Sequence, residues 1–329
     1  MQANSPLEAI AAIIREKKHF LVLSHIRPDG DAIGCSLAMG LCLKELGKSV
    51  EVWNEDGLPQ RFEFLENASL VTKPPTSPKA FEVVLVLDTA VRNRAGTQCL
   101  ANISPGAFWI NIDHHISNDR QGDIVHIDTD APAAGQILFE LFSQTGLPIT
   151  KEMANALYVA ISTDTGSFQY PHTTARSYEI AAALVRFGVN IGAINQALYE
   201  NNPRRRLELL RSLLNVLQFS SAERVASFAL STTTASALGT IPDDTEGLID
   251  TIRSIQGIIV AAFFEELDGG MVRLSLRSKD PRIDVCQICR EFGGGGHTLA
   301  SGARVSGTLD AVQKAVLAAI DRHVRVHLQ

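Results

Sequence analysis

Carboxylates and imidazoles gather in the sequence wherever an apolar run ends. His25, Asp29 and Asp31 follow the run 20–24, Asp88 follows 81–87, and Asp113, His114 and His115 follow 108–112. A fifth aspartate, Asp164, lies in Thr163-Asp164-Thr165-Gly166, just beyond an apolar helical stretch. Taken singly, each aspartate reads as a helix cap or turn former. Together they resist that reading, because carboxylates and imidazoles converging on one edge repel and desolvate one another unless a cation balances them. Mixed carboxylate and imidazole donors suit manganese, iron or zinc better than magnesium alone, and their number suffices for two octahedral ions sharing one carboxylate. Two ions roughly 3.5–4 Å apart clamp the attacking and leaving oxygens of a phosphoryl displacement and lower the pKa of a bridging water. The chemistry that fits is phosphoester hydrolysis.

Convergence follows from the elements that carry these residues. The run 20–24 is short and continuously apolar, as a strand buried on both faces is, and 50–53, 81–87 and 108–112 are strand-like. Helical periodicity occupies 6–17, a segment with Ile33, Leu37, Leu41 and Leu43, then 137–142 and 153–162. Strands alternating with helices predict an α/β domain with a parallel sheet, whose strand C-termini open on one edge where ligands bind.

Further on, the pattern changes. The segment 189–211, with Asn201-Asn202-Pro203 and Arg204, Arg205 and Arg206, reads as a connector with a helix after the proline. Runs 257–267 and 271–277, joined through Asp268-Gly269-Gly270, read as an antiparallel hairpin, and 283–292 and 310–324 as helices. The second half is therefore a smaller mixed α+β domain. The expected division is a catalytic domain at 1–188, a helical linker at 189–215 and a second domain at 216–329.

Composition removes several classes. A chain of 329 residues has room for about two cores. With 45% hydrophobic and 20% charged residues and no apolar run of membrane length, it reads as soluble, and its N-terminus lacks the features of a signal peptide. A cytoplasmic location is expected. A formal charge of −6 disfavours long duplex nucleic acid as a partner but leaves a small anionic substrate open. The five cysteines are scattered and odd in number, which argues against a disulfide framework, and the CxxC pair Cys286/Cys289 lacks the second pair of a four-thiolate zinc site.

A second signature, Gly293-Gly294-Gly295-Gly296-His297, is preceded by Ser275, Arg277 and Ser278. The glycine run lacks the Lys-Ser/Thr ending of a nucleoside-triphosphate loop. Glycines let backbone N–H groups approach a phosphate, and a histidine with an arginine on a neighbouring strand would complete an anion pocket. His172, Phe168, Tyr170 and Arg204, Arg205 and Arg206 are weaker candidates for the cleft, and His19, His126, His323 and His327 belong to no constellation.

These motifs resemble those of the DHH phosphoesterase superfamily. His25 to Gly34 looks like its first motif, Asp88 in Val-Leu-Asp-Thr its second, Asp113-His114-His115 the third and Asp164 the fourth. The resemblance implies that His25, Asp29 and Asp88 hold one ion, and that Asp31, Asp88, His114 and Asp164 hold the other, with Asp88 as the bridge. It implies that His115 faces the scissile phosphate with Asp113 supporting it. The glycine run with Arg277, Ser278 and His297 is similar to the DHH-associated domain, which holds the substrate's terminal nucleotide. A departure is Ala133-Ala134-Gly135, where many relatives carry a hydroxyl residue.

Within the superfamily, the length and the two signatures resemble the compact oligoribonuclease and 3′-phosphoadenosine 5′-phosphate phosphatase group, the nanoRNases. The implied activity is two-metal hydrolysis of dinucleotides, other very short single-stranded RNA and 3′-phosphoadenosine 5′-phosphate in an interdomain cleft. Manganese is the first candidate ion, with magnesium, iron(II) and cobalt behind it, no membrane partner is expected, and a homodimer stays open. Two alternatives remain: a phosphodiesterase of linear or cyclic signalling dinucleotides, and a nucleotide-binding regulatory module without catalysis, which would be expected to lack a metal ligand.

Overall fold

The computed structural model describes residues 3–327; the outermost ends of the two expected domains, residues 1–2 and 328–329, lie outside the described residues. The chain forms two compact units, divided between Asn201 and Asn202. The first contains α1 (Leu7–Glu16), β1 (His19–Leu23), α2 (Gly30–Glu45), β2 (Ser49–Trp53), β3 (Val71–Thr72), β4 (Val83–Leu87), α3 (Thr97–Ala101), β5 (Phe108–Asp113), β6 (Ile124–Ile127), α4 (Ala134–Thr145), α5 (Lys151–Asp164), α6 (Ala175–Arg186) and α7 (Ile191–Tyr199). Its six strands lie in the order β3-β2-β1-β4-β5-β6 and every pairing is parallel.

Burial on both faces explains the unbroken apolar runs of β1 and β4. In β1, Phe20 and Val22 enter the large core formed with α1, α2, α4 and α5, while Leu21 and Leu23 enter a smaller core with Trp53, Val84, Val86 and Cys99. The strand order reverses between β1 and β4, so the ligand crevice of such a sheet opens beyond the C-termini of these two strands. His25 and Asp88 follow those two ends. The parallel sheet expected from the sequence is thus present, and its switch point carries the acidic cluster.

Two glycines let the helices close around this edge. A Cβ on Gly30 would lie 2.3 Å from Thr163 Oγ1, and one on Gly34 would lie 2.4 Å from the Ala156 carbonyl oxygen. Backbone contact of α2 on α5 at these points brings Asp29 and Asp31, at the start of one helix, beside Asp164, at the end of the other.

The second unit contains α8 (Arg204–Asn215), β7 (Gln218–Ser220), β8 (Val225–Leu230), α9 (Thr232–Leu238), α10 (Leu248–Arg253), β9 (Val260–Leu267), β10 (Met271–Ser278), α11 (Val285–Arg290), β11 (Gly295–His297), β12 (Ala300–Ser306) and α12 (Leu309–His327). Its sheet runs β11-β12-β10-β9-β8-β7 and is antiparallel except between β8 and β9. Val272, Leu274 and Leu276 of β10 face one core, with Val316 and Ile320 of α12; Phe228 and Phe263 face the other, with Leu209 and Leu213 of α8. The expected linker divides between the units, α7 belonging to the first and α8 to the second. No single helix among the described residues is long and apolar enough to cross a membrane.

Gly34→Val would force α2 and α5 apart at the point that registers Asp31 against Asp164. We expect a loss of about 1–3 kcal/mol in chemical denaturation, as overpacking of a closed contact costs; unchanged stability would show that the contact yields freely.

Candidate metal centre

Asp88 stands at the middle of the cluster. It follows the last residue of β4, it is buried, and its backbone N–H donates to the Ile112 carbonyl, which ties it to β5. Its φ is +49°, a left-handed conformation that aspartate tolerates better than most residues. The side chain reaches both ways: Oδ2 lies 3.3 Å from His25 Nε2, and Oδ1 lies 3.4 Å from His114 Nε2. Oδ1 is buried without a hydrogen-bond partner.

Two ligand sets flank it. His25, Asp29 and Asp88 form one group, and Asp31, His114 and Asp164 another, with the ligand atoms of each group within 4.8 Å of one another. Both histidines are oriented through their other nitrogen. His25 Nδ1 lies 2.8 Å from the Ile26 carbonyl oxygen and His114 Nδ1 lies 3.2 Å from that of Ala131, so in each ring Nδ1 donates to a carbonyl and Nε2 faces the carboxylates, the orientation that suits a candidate ligand. Asp29 caps α2, accepting from the backbone N–H groups of Asp31 and Ala32, while its second oxygen lies 3.7 Å from His25 Nε2. Asp164 is the last residue of α5 rather than a residue beyond it, and its carboxylate lies 3.3 Å from His114 Nε2.

Asp31 is held most firmly. It accepts from Ala134 N at 2.6 Å and Gly135 N at 2.9 Å, the start of α4, and from the Cys35 thiol at 3.1 Å. At Ala134 and Gly135 this chain uses the N-terminus of α4 to hold a candidate ligand, and the positive end of the helix dipole favours a carboxylate there. His115 lies beside the two sets, its Nδ1 3.6 Å from Asp88 Oδ1. Its Nδ1 lies 2.7 Å from Asp113 Oδ1, and Asp113 in turn accepts from Asn118 Nδ2 at 2.6 Å, which fixes the ring through a buried carboxylate.

The electrostatics without cations is a set of compromises. For His25, burial opposes the charged ring, but Asp29 and Asp88 outweigh it and lift the imidazole to about 10. Burial and the charges of Asp88 and Asp164 push Asp31 well above the usual carboxylate range, and burial with Asp29 and Asp88 lifts Asp164 to about 7. Asp88 is held below its ordinary value, burial being outweighed by the neighbouring His114 and His25 imidazoles. Protons occupy the places that cations would take. The orphaned Oδ1 of Asp88, the mixed oxygen and nitrogen donors and the pre-oriented Nε2 atoms fit divalent ions of the manganese, iron or zinc kind.

The second unit brings some of its expected residues together and separates one. Through the ladder Arg277–Ala300–His297, Arg277 of β10 and His297 of β11 share one face, with the small Ala300 between them. Ser278 lies on the opposite, packed face, buried, its hydroxyl engaged with the backbone of Asp280. The glycine run is part turn and part strand. Gly293 has a positive φ, Gly294 packs where a Cβ would lie 2.2 Å from the Gly302 carbonyl oxygen, and Gly295 and Gly296 belong to β11. The absence of side chains lets this edge strand close tightly on β12.

The weaker candidates have mixed placements. His172 Nε2 lies 3.1 Å from the Asp164 backbone oxygen, and its ring is 5.8 Å from Tyr170, so both border the cluster. Phe168 packs between Tyr158 and Tyr178. Arg205 pairs with Asp244 and Arg206 donates to the carbonyls of Asp243 and Asp244, fastening α8 to the segment it covers. All five cysteines are free and buried. Sequence reading missed Asn118, the cap on Asp31 and Cys35; no motif marks them, since each acts through a contact made only in the fold.

Comparison with known proteins supplies independent findings. Residues 19–161 match the DHH family, N-terminal domain, and residues 228–325 match the DHHA1 domain. The bifunctional oligoribonuclease and PAP phosphatase NrnA of Thermus thermophilus is 30% identical over 301 residues, 91% of this chain and 88% of that protein. An exopolyphosphatase-related protein from Bacteroides fragilis has the same fold, with a TM-score of 0.86 at 24% identity over 98% of this chain and 97% of that one. RecJ from Thermus thermophilus, solved in complex with Mn2+, is related in fold at a TM-score of 0.56 and 18% identity, covering 98% of this chain and 55% of that one.

Because His25 and Asp164 hold protons more tightly folded than unfolded, the chelated protein should lose stability as pH rises: Asp164 contributes between 3.8 and about 7, and His25 between 6.5 and about 10. Ions that displace those protons should remove the loss. The gap in melting temperature between manganese-loaded and chelated protein is therefore expected to widen from pH 6 to pH 9. A constant gap would mean that the ions bind elsewhere.

Proposed function

The chain belongs to the DHH family of phosphoesterases, and we propose that it hydrolyses dinucleotides, other very short oligoribonucleotides and 3′-phosphoadenosine 5′-phosphate with two divalent cations, manganese first among them. The observation that carries the two-ion reading is Asp88, buried between two ligand sets with one oxygen toward each. In this reading His25, Asp29 and Asp88 hold one ion, and Asp31, Asp88, His114 and Asp164 hold the other. The substrate assignment draws on the Thermus thermophilus relative, named as an oligoribonuclease and PAP phosphatase, and the choice of manganese on the Mn2+ bound by RecJ. Five free cysteines agree with a reducing compartment, and we assign the activity to the cytoplasm.

When bound, the ions supply a water of lowered pKa and neutralise charge that develops on the phosphoryl oxygens. The protein's residues supply orientation. Asp113, fixed by Asn118, holds the His115 ring through Nδ1 and directs its Nε2 at the reacting phosphate. There the imidazole donates to a phosphoryl oxygen or to the leaving oxygen. The cap from α4 keeps Asp31 from turning away as charge moves in the site. In the second unit, Arg277 and His297, side by side over Ala300, hold the substrate's terminal nucleotide, with the backbone of Gly293, Gly294, Gly295 and Gly296 at its edge.

Loss of Asp88 removes a donor shared by both ions. Asp88→Ala is expected to lower kcat by at least about 10³ while circular dichroism stays native; an active, fully metallated variant would rule out the shared-carboxylate reading.

Capture of one substrate end at a fixed place favours short substrates. Steady-state rates on 3′-phosphoadenosine 5′-phosphate, cyclic dinucleotides and a two-to-ten nucleotide ladder should favour the bisphosphate and the dinucleotide. Arg277→Ala and His297→Ala should each raise KM and lower kcat at unchanged metal content, since remote binding energy positions the reacting group. Length-independent rates, or faster turnover of cyclic dinucleotides, would contradict the assignment.

A further inference from the structure

We propose that Arg61 is a substrate-binding residue of this metal centre, its guanidinium contacting non-bridging oxygens of the reacting phosphoryl group. The inference rests on the phosphoesterase reading above and adds a residue that no sequence motif marks. Arg61 lies in a 3-10 turn, Gln60–Phe62, reached from the C-terminal end of β2, the strand next to β1, so it rises from the same edge of the sheet as His25.

Its position is anchored. Phe62 is buried in the main core, and the Arg61 guanidinium stacks on the Phe62 ring at 4.6 Å from the centroid. The turn packs against α7, which ends in Tyr199. The charge of Arg61 is felt by the Asp29 carboxylate and by the Tyr199 hydroxyl, so it lies within electrostatic reach of that candidate ligand.

What the arginine lacks is a matched anion. Among the described residues it forms no ion pair, and its Nε is buried with no hydrogen-bond partner. A planar guanidinium with an unsatisfied donor is costly to hold in a low-dielectric place unless something accepts its hydrogen bonds. Asp29 does not serve as that acceptor, since its oxygens are directed to the helix cap and to His25. A phosphoryl group held at the ions presents oxygens of the geometry that an arginine fork binds in pairs. Removal of such a charged hydrogen bond weakens binding by about tenfold to a hundredfold.

A duller role would be that Arg61 only offsets the negative charge of the aspartates, and the two roles predict opposite things. Inorganic phosphate, a product of the bisphosphate reaction, serves as the probe, with Arg61→Ala, Arg61→Gln and Arg61→Lys compared against the wild type at saturating manganese. If Arg61 binds the phosphoryl group, Ala and Gln raise the phosphate inhibition constant at least about tenfold, raise KM and lower kcat, leave manganese affinity the same or tighter, and Lys restores part of the phosphate inhibition. If Arg61 is only a counter-charge, Ala and Gln tighten manganese binding and leave phosphate inhibition unchanged, which overturns the assignment. Absence of hydrolysis by the wild type would overturn the functional reading and this inference together; normal wild-type turnover with unaltered inhibition in the variants would overturn the Arg61 assignment alone.

Discussion

Charge neutralisation at the sheet's switch point is the constraint from which the first unit follows. Asp29, Asp31, Asp88, Asp113 and Asp164 share one edge with His25, His114 and His115. Without cations, the cluster distributes protons among groups that would not otherwise hold them, with His25 lifted to about 10 and Asp164 to about 7. Asp113 is satisfied internally by His115 and Asn118. Asp88 is not: one of its oxygens is buried and unpartnered between two imidazoles. The group least satisfied by the protein is the one best placed to be shared by two ions.

The fold meets this constraint with rigid elements. The candidate ligands come from the ends of β1, β4, β5 and α5 and the start of α2, none of them from a long loop. Asp88 takes a left-handed conformation where β4 ends, Gly30 and Gly34 let α2 lie against α5, and the N-terminus of α4 holds Asp31. The left-handed backbone of Asp88 and the close approaches at Gly30 and Gly34 coincide with the gathering of the candidate ligands, as strain and close packing often do at functional sites.

Much of this was legible in the sequence because the parallel sheet makes position predictable. A carboxylate or imidazole just past a continuous apolar run falls on the ligand edge whatever the details, so His25, Asp88 and the Asp113-His114-His115 triplet could be placed from one dimension. Contacts across many residues could not. The hydrogen bond of Ala134 to Asp31 spans 103 residues, and Asn118 is recognisable only once it touches Asp113. The strand character of Gly295 and Gly296 depends on register against β12, which no local pattern reveals. Ser278 was misplaced although the sequence held the signal: by alternation it shares a face with Leu274 and Leu276, which pack inward, and not with Arg277.

The central claim is that one aspartate joins two cations at the end of β4. Crystals of the full chain soaked in manganese and measured at the manganese absorption edge would locate the ions directly. Two anomalous peaks about 3.5–4 Å apart, with an oxygen of Asp88 on each, are predicted. A single peak, or two peaks that leave Asp88 uncoordinated, would contradict the account.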